Sequence, residues 1–336
     1  MNAMMTSSKM VREDAMKATI RGFIALFALM LVWPASAQQY PNKPVKVIVP
    51  FAAGGVTDIA TRLIAQRLSE RLGQQFFVEN IGGAGGNIGM GNAAKSPGDG
   101  YTILVASSSI VVNPSLYKQA PYDIEKDFIP VTKAGGTPNS WVVNKDFPAK
   151  TMKDLIDLFG REPGKHSVGS PGTGTTPSLS IEMLKQALNL QFITVPFAGG
   201  GPMTTSLLGG HTPIACSALG NYVNLLRQGK IRGLAVTASK RSVAMPDIPT
   251  LAEFGIKGQD AETMTGVFVP TGTPKQIVEL LQREFAAAVN SPDIKAKLLQ
   301  AGVEAEGNSS ADFAAYVKDE VAKWRKVIAA AKIAKI

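Results

Sequence analysis

The sequence contains few of the residues that build disulfides and metal sites. Its 336 residues include one cysteine and two histidines, which excludes an intrachain disulfide and leaves few ligands for a zinc site of histidine and cysteine. Charged residues are also scarce at 18%, against 45% hydrophobic residues, and this balance argues against a disordered chain. The length suits roughly two domains of ordinary size. We expect no metal and no cofactor.

The apolar run near the N-terminus is too short to span a membrane. GFIALFALMLVW at 22–33 has twelve residues, whereas a spanning helix needs about 20. Basic residues precede the run, and the small residues Ala35-Ser36-Ala37 follow it, which is the layout of a secretory signal peptide. We therefore predict a signal peptide over 1–37, cleavage after Ala37 and a periplasmic protein. A retained membrane anchor is the alternative.

Acidic residues are outnumbered by basic ones. The chain has 26 Asp and Glu against 35 Lys and Arg, a formal net charge of +9. The predicted leader carries four bases and two acids, so its removal lowers the net charge by two, to +7. Bases and acids are interspersed near the C-terminus, as in KDE at 318–320, which is typical of a solvated helix face. Because export also separates the protein from nucleic acid, we predict no nucleic-acid partner, although a basic surface can steer anionic ligands.

Strand and helix patterns alternate along the chain. The predicted strands are 45–50, 75–79, 102–106, 141–144, 166–169, 192–196 and 231–237. The predicted helices are 57–72, one from about 88, 152–159, 178–187, 203–208, 274–289, 292–300 and 310–332. Alternating strands and helices indicate an α/β fold with parallel strands. The order predicts two α/β lobes followed by a helical C-terminal segment.

Both predicted lobes contain glycine-rich, hydroxyl-bearing loops between a strand and a helix. The first lobe has FAAGGVTD at 51–58, and the second has SPGTGT at 170–175 and FAGG at 197–200. Such loops lie at the carboxyl ends of strands, where the free N–H groups and the dipole of the next helix favour an anion. Glycines that merely form tight turns are the alternative. Three such loops in two lobes favour an anion-binding cleft.

No catalytic motif accompanies these loops. The sequence lacks the Walker A, G-x-S-x-G and H-E-x-x-H patterns. GMGNAA at 89–94 fits G-x-G-x-x-A, but no strand leads directly into it, so we interpret it as a close-packed helix start. Cys216 lies in an apolar run and is expected to be buried, and Asp58 is expected to be a helix N-terminal carboxylate rather than a base. We therefore predict that the protein is not an enzyme.

A known family carries the same residues. YPNKPVKVIVPFAAGGVTDIATRLIAQRL and the following residues to 109 resemble the Bug-type (TctC-like) extracytoplasmic solute-binding proteins of tripartite tricarboxylate transporters. The similarity continues through 113–114, 170–175, 195–201, 229–237, 245–250 and 270–274. It covers nearly the whole chain after the predicted leader.

The resemblance implies a two-lobed periplasmic-binding-protein fold of type II, a Venus flytrap. Each lobe would be an α/β sheet, and two hinge crossovers would lie near 137–141 and 262–266. Lobe 1 would then comprise 38–139 and 264–336, and lobe 2 would comprise 140–263. The family also implies a monomer that captures a small carboxylate between its lobes and delivers it to the membrane subunits of a transporter.

The resemblance also implies the site residues, because in the family main-chain and hydroxyl groups of the first lobe's Gly-Gly loop hold one carboxylate, often through ordered waters. The first-lobe candidates are Ala53, Gly54, Thr57 and Asp58, with Ser107 or Ser108 from the end of the third strand. The second-lobe candidates are Ser170, Thr173, Thr175, Ala198 and Gly199.

Several positions depart from the family pattern, among them 264–266, Ser206 and 178–179. They prevent the transfer of any particular ligand, so a di- or tricarboxylate, an amino acid and an aromatic acid all stay open. Two other functions also stay open: an exported hydrolase acting on a carboxylate substrate, and a ligand-sensing module on the same fold.

Overall fold

Two mixed β-sheets that share one long strand organise the chain. The structure is a computed structural model that describes residues 40–330 and 333–336. The predicted signal peptide and its cleavage after Ala37 lie outside the described residues. Residues Lys43–Ile336 form one compact unit.

Strands and helices alternate through most of this unit. The strands are β1 Val45–Val49, β2 Phe76–Asn80, β3 Thr102–Ala106, β4 Phe128–Asn144, β5 Ser167–Ser170, β6 Ile193–Pro196, β7 Ile214–Ala218, β8 Ile231–Val236, β9 Glu262–Pro270 and β10 Glu304–Ala305. The helices are α1 Val56–Leu72, α2 Asn87–Ala94, α3 Ser109–Leu116, α4 Ile124–Asp127, α5 Met152–Arg161, α6 Thr176–Ala187, α7 Gly200–Leu208, α8 Val223–Arg227, α9 Lys275–Asn290, α10 Pro292–Gln300 and α11 Ser310–Ala330. Single 3₁₀ turns lie at Ala84–Gly86, Leu219–Asn221 and Leu251–Phe254.

The first sheet has the strand order β2-β1-β3-β9-β4, with β10 beside β4. Its strands β2, β1 and β3 are parallel, with Val47 opposite Val78 and Ile103. Strand β9 runs antiparallel to both β3 and β4. The second sheet is built on the other end of β4, which pairs antiparallel with β7 and β8, while β5 and β6 continue it in parallel.

The chain passes between the sheets at two neighbouring places. Along β4, Pro138 is opposite Glu262 of the first sheet, and the next residue, Asn139, is opposite Ala218 of the second. Where the chain returns to the first sheet, Ala261 N–H donates to Thr237 O, which directly follows β8 of the second sheet. Strand β9 begins at the next residue, Glu262. The lobe boundaries at 139/140 and 263/264 lie within two residues of these changes and stay a prediction.

Each sheet carries its own apolar core. In the first lobe, the C-terminal helix α11 packs one face against the sheet, and the five buried residues of that face follow helical spacing. They are Phe313, Val317, Val321, Trp324 and Ile328. The second core surrounds Trp141, with Phe159 and Phe192 stacked at a centroid distance of 4.4 Å. Cys216 is fully buried there, as predicted.

The predicted strand at 141–144 is wrong in length, because β4 begins thirteen residues earlier, at Phe128. The missed part contains prolines and adjacent glycines, which are typical of loops. Here the ladder shifts register near Pro130 and before Gly135, so these residues lie at bulges. A Cβ on Gly136 would lie 1.5 Å from Glu262 Oε1, which explains why glycine is needed at this crossing. The pattern also missed β7, β9, β10, α3, α4 and α8.

A buried lysine holds the first-lobe side of the crossings together. Lys133 Nζ lies 3.0 Å from Glu262 Oε1 and 2.6 Å from Glu306 Oε1, and 4.6 Å from the Tyr316 ring centroid. Burial alone would lower the pKa of Lys133, but the two carboxylates outweigh it and raise that pKa. Burial also raises the pKa of Glu306. This cluster joins β4, the first residue of β9 and the segment after β10.

We expect Lys133→Met to lower the free energy of unfolding by about 2–3 kcal/mol, because it leaves two carboxylates without their cation. The estimate is below that for a fully buried pair, since both carboxylates are about 40% exposed. Urea unfolding would measure the change. Lys153→Met, which removes an exposed lysine paired with Asp157, is the matched control and should have little effect. Equal effects of the two variants would contradict the role assigned to the cluster.

Candidate ligand-binding site

A cleft of about 430 Å³ lies between the two sheets, at the carboxyl ends of several strands. Its lining comes from both lobes and consists of Phe51, Ala52, Gly55, Val56, Thr57, Asp58, Ser107, Pro171, Thr175, Thr176, Pro177, Gly200, Ser217, Ala218, Asn221 and Thr263. Among the described residues, Asp58 is the one ionisable side chain in this lining, which contains no lysine or arginine. Any anion in the cleft must therefore be held by main-chain and hydroxyl groups.

Helix N-termini from both lobes point at the cleft. The first residues of α1, α6 and α7 are in the lining, and Ser107 precedes α3. The N–H groups of a first helical turn have no acceptor within the helix, and the helix dipole places partial positive charge there. Gly55 is the N-cap of α1 and supplies no side-chain oxygen to these amides. The helix predicted to begin at 57 begins at Val56, so Thr57 and Asp58 lie inside its first turn and Gly55, not either of them, is the cap.

Asp58 orders the loop before α1. Its carboxylate accepts hydrogen bonds from Gly54 N–H at 2.9 Å, Arg62 Nε at 3.0 Å and Asn80 Nδ2 at 2.9 Å. Burial would raise the pKa of Asp58, but these donors outweigh burial and hold the pKa below its ordinary value. The carboxylate is thus ionised and already satisfied. This confirms the interpretation of Asp58 as a helix N-terminal carboxylate rather than a free base.

Thr57 is placed differently from its neighbour. The residue is 5% exposed, lines the cleft, and its hydroxyl has no hydrogen-bond partner among the described residues. Ala53 and Gly54 lie beside the cleft rather than in its lining. Ala53 O lies close to Gly201 of the second lobe, where an added Cβ would be 2.8 Å from that oxygen.

The two predicted serines after β3 have separate positions. Ser107 lines the cleft, and its hydroxyl lies 3.1 Å from that of Ser109. Ser108 Oγ donates to Glu262 O and accepts from Met264 N–H, both at 2.9 Å. Ser108 therefore holds the start of β9 at the crossing and is absent from the cleft lining.

The second-lobe candidates are also divided. Thr175 lines the cleft as the N-cap of α6, and its hydroxyl donates to Gly172 O at 2.7 Å. Ser170 is fully buried, with no hydrogen-bond partner for its hydroxyl among the described residues. Thr173 and Ala198 line a neighbouring cavity. Gly199 has φ +136°, and a Cβ there would lie 3.4 Å from Ala52 N.

The sequence reasoning missed Asn221, which joins the lobes. Its Oδ1 accepts from Val56 N–H at 2.7 Å, and its Nδ2 donates to Ser217 Oγ at 2.7 Å. Gly200 makes room for this amide, because a Cβ there would lie 2.4 Å from Asn221 Nδ2. Val56, whose N–H bonds to Asn221, is 165 positions away in the sequence. The local signal for Asn221 is therefore no more than a glycine and an asparagine that follow a buried run.

Further contacts close the cleft around Asn221. Ala52 N–H donates to Ala198 O at 3.4 Å, and Thr176 Oγ1 lies 3.1 Å from Thr263 Oγ1. Thr263 Oγ1 in turn donates to Asn139 Oδ1 at 2.8 Å, next to the crossing. The loops of the two lobes thus touch on either side of the cleft, which is a closed arrangement.

Within residues 40–330 and 333–336, no cluster of three or more histidine, cysteine, aspartate or glutamate side chains could hold a metal ion. None of the described helices combines the length and the apolar character needed to span a membrane.

Two α/β lobes, two crossings and an anion-suited cleft between them define the class of periplasmic binding proteins, and solved structures agree. Rpa4515 of R. palustris, with adipate, is 36% identical and covers 88% of this chain and 100% of its own, with a TM-score of 0.85. MatC of Rhodopseudomonas palustris, with bound malate, is 31% identical and covers 86% of this chain and 100% of its own, with a TM-score of 0.82. These likenesses confirm the predicted fold class.

The family follows from the sequence comparisons. The model of the TctC family, described as the tripartite tricarboxylate transporter family receptor, matches residues 60–333, and this chain belongs to that family. Protein BugT of Bordetella pertussis is 32% identical over 297 residues, which cover 88% of this chain and 91% of BugT. The resemblance stated from the sequence is thereby confirmed.

We expect Asp58→Asn to lower the free energy of unfolding at pH 7 by about 1–2 kcal/mol, because a neutral amide binds Arg62 and the Gly54 amide less strongly. The folded-state pKa of Asp58 is depressed. Its contribution is therefore full above the unfolded value of about 3.9 and is lost as the pH falls through the folded-state pKa. Denaturant unfolding from pH 7 to pH 2 would test this, with the exposed Asp146→Asn as control. A gap that does not narrow at all as the pH falls would contradict the assignment.

We expect Asn221→Ala to open the ligand-free protein, because Val56 N–H loses its partner from the second lobe. Loss of one neutral hydrogen bond worth about 1 kcal/mol would reduce the ratio of closed to open molecules about fivefold. Small-angle X-ray scattering would then give a larger radius of gyration. Asn224→Ala, an exposed position on α8, is the control. An unchanged radius of gyration for Asn221→Ala would contradict the role of Asn221 in holding the lobes closed.

Proposed function

We propose that this protein binds a small carboxylate in the cleft between its lobes and delivers it to the membrane subunits of a tripartite tricarboxylate transporter. The observation that carries the proposal is the convergence of helix N-termini from both lobes on a cleft without lysine or arginine. Family membership supports it, as do the adipate and the malate held by the related R. palustris proteins.

Among the predicted site residues, we propose direct ligand contacts for Thr57 and Ser107, which line the cleft. Thr57 offers an unengaged hydroxyl and Ser107 adds a second, whereas the Thr175 hydroxyl already donates to Gly172 O and caps α6. The free first-turn amides of α1 in the first lobe, and of α6 and α7 in the second, would add main-chain donors. For Ala53, Gly54, Asp58, Ser108, Ser170 and Gly199, we propose that they shape the loops that present these donors.

The energetics of such a site are favourable without any cation. Each hydrogen bond to a charged group contributes roughly 1.5–3 kcal/mol, and a micromolar dissociation constant needs about −8 kcal/mol. A few donors from each lobe therefore suffice after the cost of ordering the closed form. Because the donors belong to both lobes, the ligand binds the closed form more tightly and shifts the population toward it.

The remaining features of the proposal are a periplasmic location, cleavage after Ala37, a monomeric state and the lack of enzymatic activity. The last rests on the arrangement of the site. Neither histidine lines the cleft as the described residues form it, and His166 Nε2 lies 2.9 Å from Glu162 Oε2 in the second lobe. The cleft hydroxyls are therefore without a general base. Burial also raises the pKa of the Cys216 thiol, which disfavours a nucleophilic thiolate.

We expect mono-, di-, tri- or aromatic carboxylates to raise the melting temperature, because a ligand bound only by the folded state stabilises that state. For the best ligand, Thr57→Val should weaken binding about tenfold to a hundredfold, the loss of one hydrogen bond to a charged group. Isothermal titration calorimetry would measure it.

The control for this experiment is Thr205→Val, because Thr205 is an exposed threonine on α7 that is absent from the cleft lining. Equal affinities of the Thr57→Val variant and the unaltered protein would remove Thr57 from the site. Failure of every carboxylate to bind would overturn the proposed function, and turnover of a bound carboxylate would replace it with an enzymatic one.

A further inference from the structure

A second cavity of about 510 Å³ adjoins the cleft. The two share Phe51 and Pro171, so they meet at the end of β1 and the loop before α6. In contrast to the cleft, the second cavity has no ionisable side chain other than the phenol of Tyr117 among its described lining residues. We call it the aromatic cavity, defined by Phe51, Tyr117 and Phe197.

The three aromatic side chains come from separate elements and face one space. Phe51 follows β1, Tyr117 follows α3 and Phe197 follows β6, so both lobes contribute. Each is half-buried, which leaves ring surface available to a ligand. Burial raises the pKa of Tyr117 above its ordinary value, so its phenol stays neutral. Tyr117 Oη donates a long hydrogen bond to Thr173 O at 3.5 Å across the cavity.

Glycines keep the aromatic cavity open. Gly85 has φ +63°, and a Cβ there would lie 2.1 Å from Thr173 O. On Gly172, at φ +134°, a Cβ would lie 3.2 Å from Phe197 O. The main chains of the two lobes thus approach closely at Gly85 and Thr173, and a side chain on Gly85 would clash with Thr173 O.

We propose that the aromatic cavity receives the uncharged, apolar tail of a carboxylate whose acid group lies in the cleft, with an aryl-substituted monocarboxylate as the preferred class. This inference rests on the proposed function and deepens it. Ring surface from both lobes favours burial of an apolar or aromatic group. A second carboxylate in the tail would lose its hydration against ring surface, where the lining offers two side-chain hydroxyls, those of Tyr117 and Thr173, and the Tyr117 hydroxyl is already bonded to Thr173 O. The cavity therefore selects against di- and tricarboxylates of similar length.

The test compares 3-phenylpropanoate, propanoate and adipate by isothermal titration calorimetry with the purified protein. The three ligands share one carboxylate end and differ in the tail. We expect 3-phenylpropanoate to bind at least about tenfold more tightly than propanoate, from burial of the ring, and more tightly than adipate. Equal affinities of 3-phenylpropanoate and propanoate, or tighter binding of adipate, would overturn the inference and leave the proposed function standing. Failure of all carboxylates would overturn the proposed function itself.

Variants test whether the aromatic cavity causes the preference for an aryl tail. Phe197→Ala should reduce the ratio of the two affinities, for 3-phenylpropanoate over propanoate, about tenfold while propanoate affinity is unchanged. Tyr117→Phe keeps the ring and should keep the ratio. Phe77→Ala is the control, because Phe77 is a 40% exposed phenylalanine on β2 outside both cavities. Equal weakening of both ligands by Phe197→Ala, in a variant that melts like the unaltered protein, would assign the ring to general packing and overturn the inference.

Discussion

The pairing of one strand in two sheets is the constraint on which the rest of the structure depends. Residues 128–138 of β4 form a ladder with β9, and the residues from Asn139 onward pair with β7 and β8. The ends of the sheets are thereby held side by side, so the loops that follow β1, β3, β5 and β7 meet at one cleft. The buried Lys133 and its two carboxylates fix the first-lobe side of this junction. Movement of the lobes must therefore be absorbed in the few residues at the two crossings.

The charge of the protein and the chemistry of its site are separate matters. The formal net charge is +9, yet the cleft lining, as the described residues form it, contains no lysine or arginine. Partial charges on first-turn amides and neutral hydroxyls take the place of cations. Such donors are fixed by the helices that carry them, so they are preorganised for an anion and need little side-chain ordering when it binds.

The sequence was most informative where a physical signal is local. Strand β1, with its β-branched residues between a proline and glycines, and α10, which begins with proline, were predictable within a residue. Strand β4 was not, because Pro130, Gly135 and Pro138 have the composition of a loop while bulges place them in a ladder. Parts of the predicted glycine-rich loops line the cleft. Their individual roles depend on partners far along the chain, as for Ser108 with Met264 and Asn221 with Val56, and no local pattern encodes such pairs.

The amide of Asn221 has a consequence for how a transporter could read this receptor. Its oxygen accepts a hydrogen bond from Val56 N–H at the start of α1, a donor that would otherwise be free to bind an anion. In the closed form, the Asn221 side chain therefore replaces part of the ligand. Closure is then available to empty molecules as well as to loaded ones. A membrane partner that recognised only the closed shape would bind empty receptors as well as loaded ones. The membrane partner would have to distinguish loaded from empty receptors by the lifetime of the closed form. The ligand's added hydrogen bonds lengthen that lifetime, and only a long-lived closed form outlasts the docking step.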